Sequence, residues 1–133
     1  MDLIPALEEA RAAEKEQALF YRTLASEAES RGDAAMSERF NELHADEQHH
    51  VSRITARLLE LGADLADISR VLPSSARMDG WEAAARMREE AEMHRYERLL
   101  QAEMDAVTRA LVQEILDTER HHAEELGGKW TRA

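Results

Sequence analysis

Apolar residues recur every three or four positions along most of the chain, which is the spacing of one face of an α-helix. The first stretch runs to Gly32 and the second runs to Gly62. After a connection that contains Pro73, two more stretches follow, and the last one ends before Gly127. Glycine commonly follows the last residue of a helix, and proline is rare inside one. We therefore predict four helices, over about residues 4–31, 33–61, 80–103 and 105–126.

Aspartates stand where these helices should begin. Asp33 and Asp105 precede the second and the fourth helix, and a short polar side chain at this point can accept a hydrogen bond from the first turn. The string at 79–82 is typical of a capping box, in which Asp79 caps the third helix and Glu82 reaches back.

Composition agrees with one all-α domain over residues 1–133. The chain has 5 Gly, 2 Pro and 5% aromatic residues, so turns are scarce and helix-forming residues dominate. Cysteine is absent, so a bound metal would need Glu, Asp and His as ligands. The net charge of −11 argues against nucleic acid and anionic membranes as partners. No stretch approaches the roughly 20 apolar residues of a membrane span, and no signal peptide is evident, so we expect a cytoplasmic protein.

Each predicted helix carries acid in the middle of its apolar seam. A buried carboxylate costs several kcal/mol unless it is paired or binds a metal, so the bundle needs positive charge in its core. Two divalent cations would balance four glutamates, and two histidines would complete the ligands without adding charge. Oxygen and imidazole ligands suit iron, manganese or zinc. The predicted metal ligands are Glu14, Glu47, His50, Glu89, Glu119 and His122.

The spacing Glu-x-x-His occurs at Glu47–His50 and at Glu119–His122, one helical turn apart on one face. Alone it is a weak signal, because 20 Glu and 6 His in 133 residues make about one such pair expected by chance. The register is a stronger signal: both glutamates lie 14 residues after the capping aspartate of their helix. The chain is therefore interpreted as a duplicated helical hairpin, with the second and third helices parallel and a long crossover between them.

With these residues, nearly the whole chain resembles the rubrerythrin or erythrin branch of the ferritin-like di-iron superfamily. That family has Glu on the first helix, Tyr seven residues later and Glu-x-x-His 33 residues after the first Glu, as at Glu14, Tyr21, Glu47 and His50. The resemblance implies a ferritin-like antiparallel four-helix bundle in which the six predicted ligands bind two iron ions, Fe2+ or Fe3+. Full rubrerythrins also contain a Cys-rich rubredoxin domain, whereas this chain has no cysteine.

Rubrerythrins carry a further carboxylate three residues after the glutamate of the third helix, and this carboxylate can exchange with a histidine as an iron ligand. Glu92 occupies that position, and its counterpart in the first half is Gln17. We therefore count Glu92 as a candidate seventh ligand and as a candidate participant in catalysis. Tyr21 and Tyr96 are expected either to pack in the core or to donate hydrogen bonds to ligand carboxylates across the bundle, which makes them candidates for a catalytic role.

The leading hypothesis is a di-iron oxidoreductase that reduces hydrogen peroxide or dioxygen with electrons from a separate donor protein. A ferroxidase that handles iron is the second hypothesis. The third is a metal-binding bundle without redox turnover, because the same ligands accept manganese or zinc. The resemblance also makes a homodimer plausible.

Overall fold

The computed structural model describes residues 2–73 and 76–126, and these residues form four α-helices and no β-strand. The helices are α1 (Leu3–Ser30), α2 (Ala34–Glu60), α3 (Trp81–Leu99) and α4 (Ala106–Glu125). Predicted and observed helices overlap throughout. The prediction that the chain leaves the last helix at Gly127 lies outside the described residues. None of these helices is both long and apolar enough to cross a lipid bilayer.

The helices pack as two hairpins side by side. α1 packs on α2 and on α3, and α4 packs on α3 and on α2. Side-chain contacts give the directions: Ser37 reaches Ala25 while Thr55 reaches Arg11, so α2 runs antiparallel to α1. Ion pairs from α3 to α1 fall in the same descending order, from Arg88–Glu16 to Arg95–Glu9. Because α2 and α3 both oppose α1, they are parallel, and residues 61–73 and 76–80 belong to the connection that crosses the length of the bundle.

The crossover between α2 and α3 is not helical where it passes α1, and polar contacts attach it to that helix. Lys15 donates to the carbonyl oxygen of Ile68 at 2.7 Å, and Arg11 donates to that of Ala66 at 3.0 Å. The backbone N–H of Ala66 donates to Glu8 at 2.6 Å. These contacts supply partners for backbone groups that no helix pairs in this segment.

Helix caps agree with the sequence at two of the three predicted sites. Asp33 accepts a hydrogen bond from the backbone of Met36, and Asp105 accepts one from Thr108. The capping box at the third helix was wrong. The N-cap of α3 is Gly80, which has a φ of +71°, and no side-chain hydrogen bond caps this helix end within the described residues. The left-handed glycine starts the helix one residue later than predicted and takes Asp79 out of the capping position.

The predicted end of the third helix, near residue 103, was also wrong, because α3 ends at Leu99. The chain turns there, and the backbone N–H of Ala102 donates to the carbonyl oxygen of Leu99. Arg109 of α4 donates to the carbonyl oxygens of Leu100 and Ala102, both at 3.0 Å. A side chain from the next helix thus binds carbonyls that a longer α3 would have paired internally.

The core consists of two apolar clusters, one at each end of the bundle. One contains Phe20, Tyr21, Leu24, Ala25, Ala28, Phe40, Leu43, Trp81, Ala85 and Leu126. The other contains Leu7, Ala10, Ile54, Leu58, Tyr96, Leu99, Leu111, Val112, Ile115 and Leu116. At the end of α2 the cluster includes Leu58, which is fully buried, whereas Leu61 just beyond the helix is only partly buried. Between the two clusters lies a layer of polar side chains.

Candidate metal centre

The polar layer between the apolar clusters contains all six predicted ligands. Each of the four helices contributes one glutamate, and all four glutamates are 0% exposed. The histidines follow their glutamates by three residues, so each lies on the same inner face of α2 or α4, with His50 at 4% exposure and His122 at 2%. Residues far apart in sequence are thereby brought to one height in the bundle.

Their donor atoms form two overlapping groups. Glu14, Glu47, His50 and Glu119 form one group, Glu47, Glu89, Glu119 and His122 form the other, and within each group the donor atoms lie within 4.8 Å of one another. Glu47 and Glu119 belong to both groups. The sequence predicted that each Glu-x-x-His pair binds one metal and that Glu14 and Glu89 bridge the two metals or bind one of them. In the structure the Glu-x-x-His glutamates are the pair common to both groups, and Glu14 and Glu89 belong to one group each.

Most of these oxygens have no hydrogen-bond donor among the residues that the structure describes. Both carboxylate oxygens of Glu47 and both of Glu119 are buried without a partner, as are Oε1 of Glu89 and Nδ1 of His122. A buried, unpaired polar atom usually costs about 1–3 kcal/mol, and a ligand bound among these atoms would remove that cost. Divalent cations fit, because the unpaired atoms are the oxygen and imidazole nitrogen donors that such cations bind.

The closely spaced, buried carboxylates shift one another's pKa values. Burial, together with the charges of Glu119, Glu14 and Glu89, raises the pKa of Glu47 well above its usual value. Burial and the neighbouring charges of Glu14 and Glu89 likewise raise the pKa of Glu119. For Glu14, burial acts in the same direction, but hydrogen bonds from His50 and Tyr96 outweigh it and lower the pKa. Without a cation, therefore, the two shared glutamates bind a proton more tightly than an ordinary carboxyl group does, and a cation that binds there would displace such protons.

Both histidines turn Nδ1 toward the carboxylates. Nδ1 of His50 lies 3.0 Å from Oε1 of Glu14 and 3.7 Å from Oε1 of Glu119. Nδ1 of His122 lies 3.5 Å from Glu47, 3.5 Å from Glu119 and 3.6 Å from Glu89. Nδ1 is therefore the nitrogen that can bind a metal in each case.

The structure adds one residue that sequence reasoning missed. Asp46 of α2 accepts a hydrogen bond at 2.9 Å from Nε2 of His122, across the bundle, and its side chain is 53% exposed. Burial lowers the pKa of His122, but the hydrogen bond to Asp46 and the neighbouring carboxylates of Glu119 and Glu89 outweigh it and raise the pKa to about 12. A proton on Nε2 leaves Nδ1 as the metal-binding nitrogen, which is the tautomer that a carboxylate partner favours. The signal was weak, since Asp46 precedes Glu47 but lies off the apolar seam.

The two tyrosines donate hydrogen bonds across the hairpins. The hydroxyl of Tyr21 on α1 donates to Oε2 of Glu89 on α3 at 2.5 Å, and that of Tyr96 on α3 donates to Oε2 of Glu14 on α1 at 2.7 Å. Gln17 also donates to Oε2 of Glu89, at 3.2 Å. Of the two roles expected for the tyrosines, the structure therefore has the one in which they donate hydrogen bonds to carboxylates. Each bond fixes the orientation of a carboxylate that belongs to only one of the two groups.

Glu92 lies beside Glu14 and outside both groups of donor atoms. Burial and the charge of Glu14 raise the pKa of Glu92 to about 9, although Arg95 acts in the opposite direction. Glu92 is thus close to the centre, as expected, but its carboxylate is not among the atoms gathered there. Its role as a ligand stays a prediction.

On one side, the candidate centre lies close to the protein surface. A groove of about 540 Å³ between α2 and α4 is lined by Glu42, Asp46, Asp117, Glu125 and the edge of His122. A row of carboxylates leading to a buried candidate ligand favours the approach of cations.

Comparison of the chain with protein-family models gives no match, and comparison with curated proteins gives none either.

Proposed function

We propose that this chain is a ferritin-like di-iron protein of rubrerythrin type, which reduces hydrogen peroxide with electrons from a separate donor. The observation that carries the proposal is the pair of overlapping three-glutamate, one-histidine groups, with their unpaired oxygens buried between two apolar clusters. Four glutamates would neutralise two divalent cations. Such a site, shared between four helices, is the arrangement of di-iron carboxylate bundles.

The residues of the chain position the reacting partners and exclude water. Asp46 would hold the proton on Nε2 of His122, so that Nδ1 stays available to a metal. Tyr21 and Tyr96 would keep the carboxylates of Glu89 and Glu14 in fixed orientations. When bound, two iron ions supply the redox chemistry, in which hydrogen peroxide, two protons and two electrons give two water molecules. The donor protein returns the two electrons.

Iron and peroxide are preferred to other choices because of an asymmetry between the two halves. Gln17 next to Glu89 is an amide, whereas its counterpart Glu92 next to Glu14 is an acid. An additional carboxylate at one end of the pair can compensate added positive charge when the metals are oxidised. A centre that only stores or structurally binds a divalent metal has no need of this group.

The test uses metal-free protein loaded with two Fe2+ per chain in the absence of oxygen and then mixed with hydrogen peroxide. We expect oxidation, followed by absorbance in a stopped-flow instrument, to be much faster than that of free Fe2+. Glu119→Ala should lose iron binding and the fast reaction, because it removes an oxygen ligand common to both groups. Glu114→Ala on the exposed face of the same helix is the matched control and should react like the unchanged protein. Oxidation no faster than that of free iron would rule the proposal out.

The acidic groove favours a second candidate, a ferroxidase that takes up Fe2+ and passes on Fe3+. Repeated turnover with excess Fe2+ and dioxygen, together with release of ferric iron, would support this function. A peroxidase would instead need an added reductant for every turnover. Metal analysis of protein purified without added metal tests the non-redox alternative, which predicts zinc or manganese.

A further inference from the structure

The buried carboxylates around the centre outnumber the charge that two divalent ions supply. Glu14, Glu47, Glu89 and Glu119 balance two divalent cations, and Glu92, at 5% exposure, is a fifth carboxylate beside them. A buried carboxylate requires a positive partner if it is ionised. When two divalent metals are bound, the fifth carboxylate therefore needs another positive partner.

Arg95 is the cation in contact with Glu92. Nε of Arg95 lies 3.6 Å from Oε1 of Glu92, one helical turn earlier on α3. Nη1 of the same guanidinium lies 2.7 Å from Oε1 of Glu9 on α1, whose side chain is 72% exposed. Arg95 therefore spans from the surface to the carboxylate nearest the centre, with its outer end anchored to another helix.

Both partners keep unused hydrogen-bonding capacity at their contact. Nε of Arg95 and Oε2 of Glu92 are buried without a hydrogen-bond partner. A movement of Glu92 toward Arg95 would complete a charge-assisted hydrogen bond, and a movement toward Glu14 would bring it to the metals. The carboxylate thus lies between two competing positive partners.

We propose that Arg95 is a positioning residue, which holds the carboxylate of Glu92 away from the metal ions while both are divalent. This inference rests on the proposed two-metal centre. With two divalent ions the four glutamates already balance the charge, so the arginine competes successfully for the fifth carboxylate. Additional positive charge on the metals would change that balance in favour of Glu92 as a ligand.

The test uses cobalt(II), which stays divalent and reports coordination number through its visible d–d absorption, whose intensity falls as ligands are added. Metal-free chain is titrated with cobalt(II) as the unchanged protein, Arg95→Gln, Glu92→Gln and the double variant. We expect Glu92→Gln to leave the spectrum unchanged, because Glu92 is not a ligand in the divalent state. Arg95→Gln should lose d–d intensity and bind one cobalt ion roughly tenfold more tightly, because Glu92 is released to it. The double variant should return to the spectrum of the unchanged protein.

A matched control separates this effect from a general loss of charge. Arg98 lines the same surface pocket as Arg95 but forms no ion pair with Glu92 in the part of the chain that the structure describes. Arg98→Gln should leave the cobalt spectrum unchanged. Arg95→Met keeps the aliphatic stem of the side chain and gives the same information if Arg95→Gln does not fold.

Two results would overturn the inference: a cobalt spectrum of Arg95→Gln identical to that of the unchanged protein, or a changed spectrum that persists in the double variant. Persistence would mean that Arg95 acts without Glu92. If the unchanged protein binds no cobalt pair, the metal centre itself is wrong and both proposals fail. If it binds the pair but the ferrous form does not react with peroxide, only the proposed function fails, since the cobalt experiment involves no redox step.

Discussion

Asp46 is half exposed, yet it accepts a hydrogen bond from a histidine that is almost completely buried. The pairing is not repeated in the other half, where the residue before Glu119 is Thr118, whose hydroxyl donates to the carbonyl oxygen of Glu114 in its own helix. The two histidines are therefore supported differently, although the Glu-x-x-His strings are alike. The surroundings of the polar layer are therefore asymmetric at His122 as well as at Glu92.

Asp46→Asn should weaken metal binding roughly 10- to 100-fold, because an amide no longer favours the tautomer with the proton on Nε2 of His122. Competition with a chelator of known affinity measures the change. Asp117→Asn is the control: Asp117 lines the same groove, but its carboxylate contacts Gln113 and Arg120 instead of the histidine. Equal affinities for the two variants would show that the Asp46 contact does not support the metal ligand.

The buried cluster of four glutamates and two histidines could be predicted because each residue interrupts an apolar stripe, where a charged side chain is costly and therefore informative. The role of Asp46 could not be predicted, because acidic residues are most common on exposed helix faces. Its role depends on which residue α4 places opposite α2. Likewise the sequence gives no sign that Glu47 and Glu119 are the shared pair, since that depends on side-chain directions at the centre of the bundle.

Among the helices, the register of α2 and α4 depends on where each begins. Asp33 and Asp105 both cap their helices, and each lies 14 residues before the shared glutamate of that helix. Because α2 and α4 are antiparallel and begin at opposite ends of the bundle, equal distances from the two caps bring Glu47 and Glu119 to the same height midway along it. This part of the fold could be predicted, because caps and ligands are both local signals.

The start and end of α3 could not be predicted in the same way. A left-handed Gly80 displaces the expected cap, and Arg109 of another helix binds the carbonyls at the C-terminal end. Both depend on how the chain enters and leaves the bundle. A pattern of residues within one helix cannot predict a helix boundary that depends on contacts with other parts of the chain.

The caps make a direct comparison possible. Asp105→Ala should reduce the free energy of unfolding by about 1–2 kcal/mol, because the side chain accepts hydrogen bonds from both N and Oγ1 of Thr108. Asp79→Ala should change it by less than about 0.5 kcal/mol, because the N-cap of α3 is Gly80. Urea unfolding of the metal-free protein measures both. A loss at Asp79 as large as that at Asp105 would restore the capping box and contradict the observed start of α3.

The whole molecule can be described as three layers along the bundle, apolar, polar and apolar. The outer layers exclude water from the carboxylates, which strengthens their interaction with a cation but also makes their charge costly without one. Stability and metal binding are therefore coupled. The parallel arrangement of α2 and α3, with its long crossover, lets all four helices present a glutamate to the same layer.

This coupling predicts how the stability of the metal-free protein depends on pH. The pKa of Glu92 is raised to about 9 and that of His122 to about 12, and those of Glu47 and Glu119 are raised as well. A group with a raised pKa binds its proton more tightly in the folded than in the unfolded chain, so its stabilising contribution is lost as the pH rises toward the folded-state value. Glu14 and Asp46 have lowered pKa values, so their contribution to stability is already complete above the usual pKa of a carboxyl group. They therefore do not change this trend. In chelator the melting temperature should therefore fall between about pH 6 and pH 9.

Zinc or manganese should remove this decline, because a bound cation replaces the protons and binds more tightly as the pH rises. Glu119→Gln separates the two states: it should stabilise the metal-free protein at the alkaline end by about 1–4 kcal/mol and abolish the stabilisation by metal. Glu38→Gln, on the exposed face of α2 and outside the acidic groove, should follow the unchanged protein in both conditions. Thermal melting with chelator and with added metal, at several pH values, measures all three proteins. A metal-free melting temperature that stays level or rises up to pH 9 would mean that the polar layer does not hold its protons in the folded state, and the coupling of metal binding to stability would have to be abandoned.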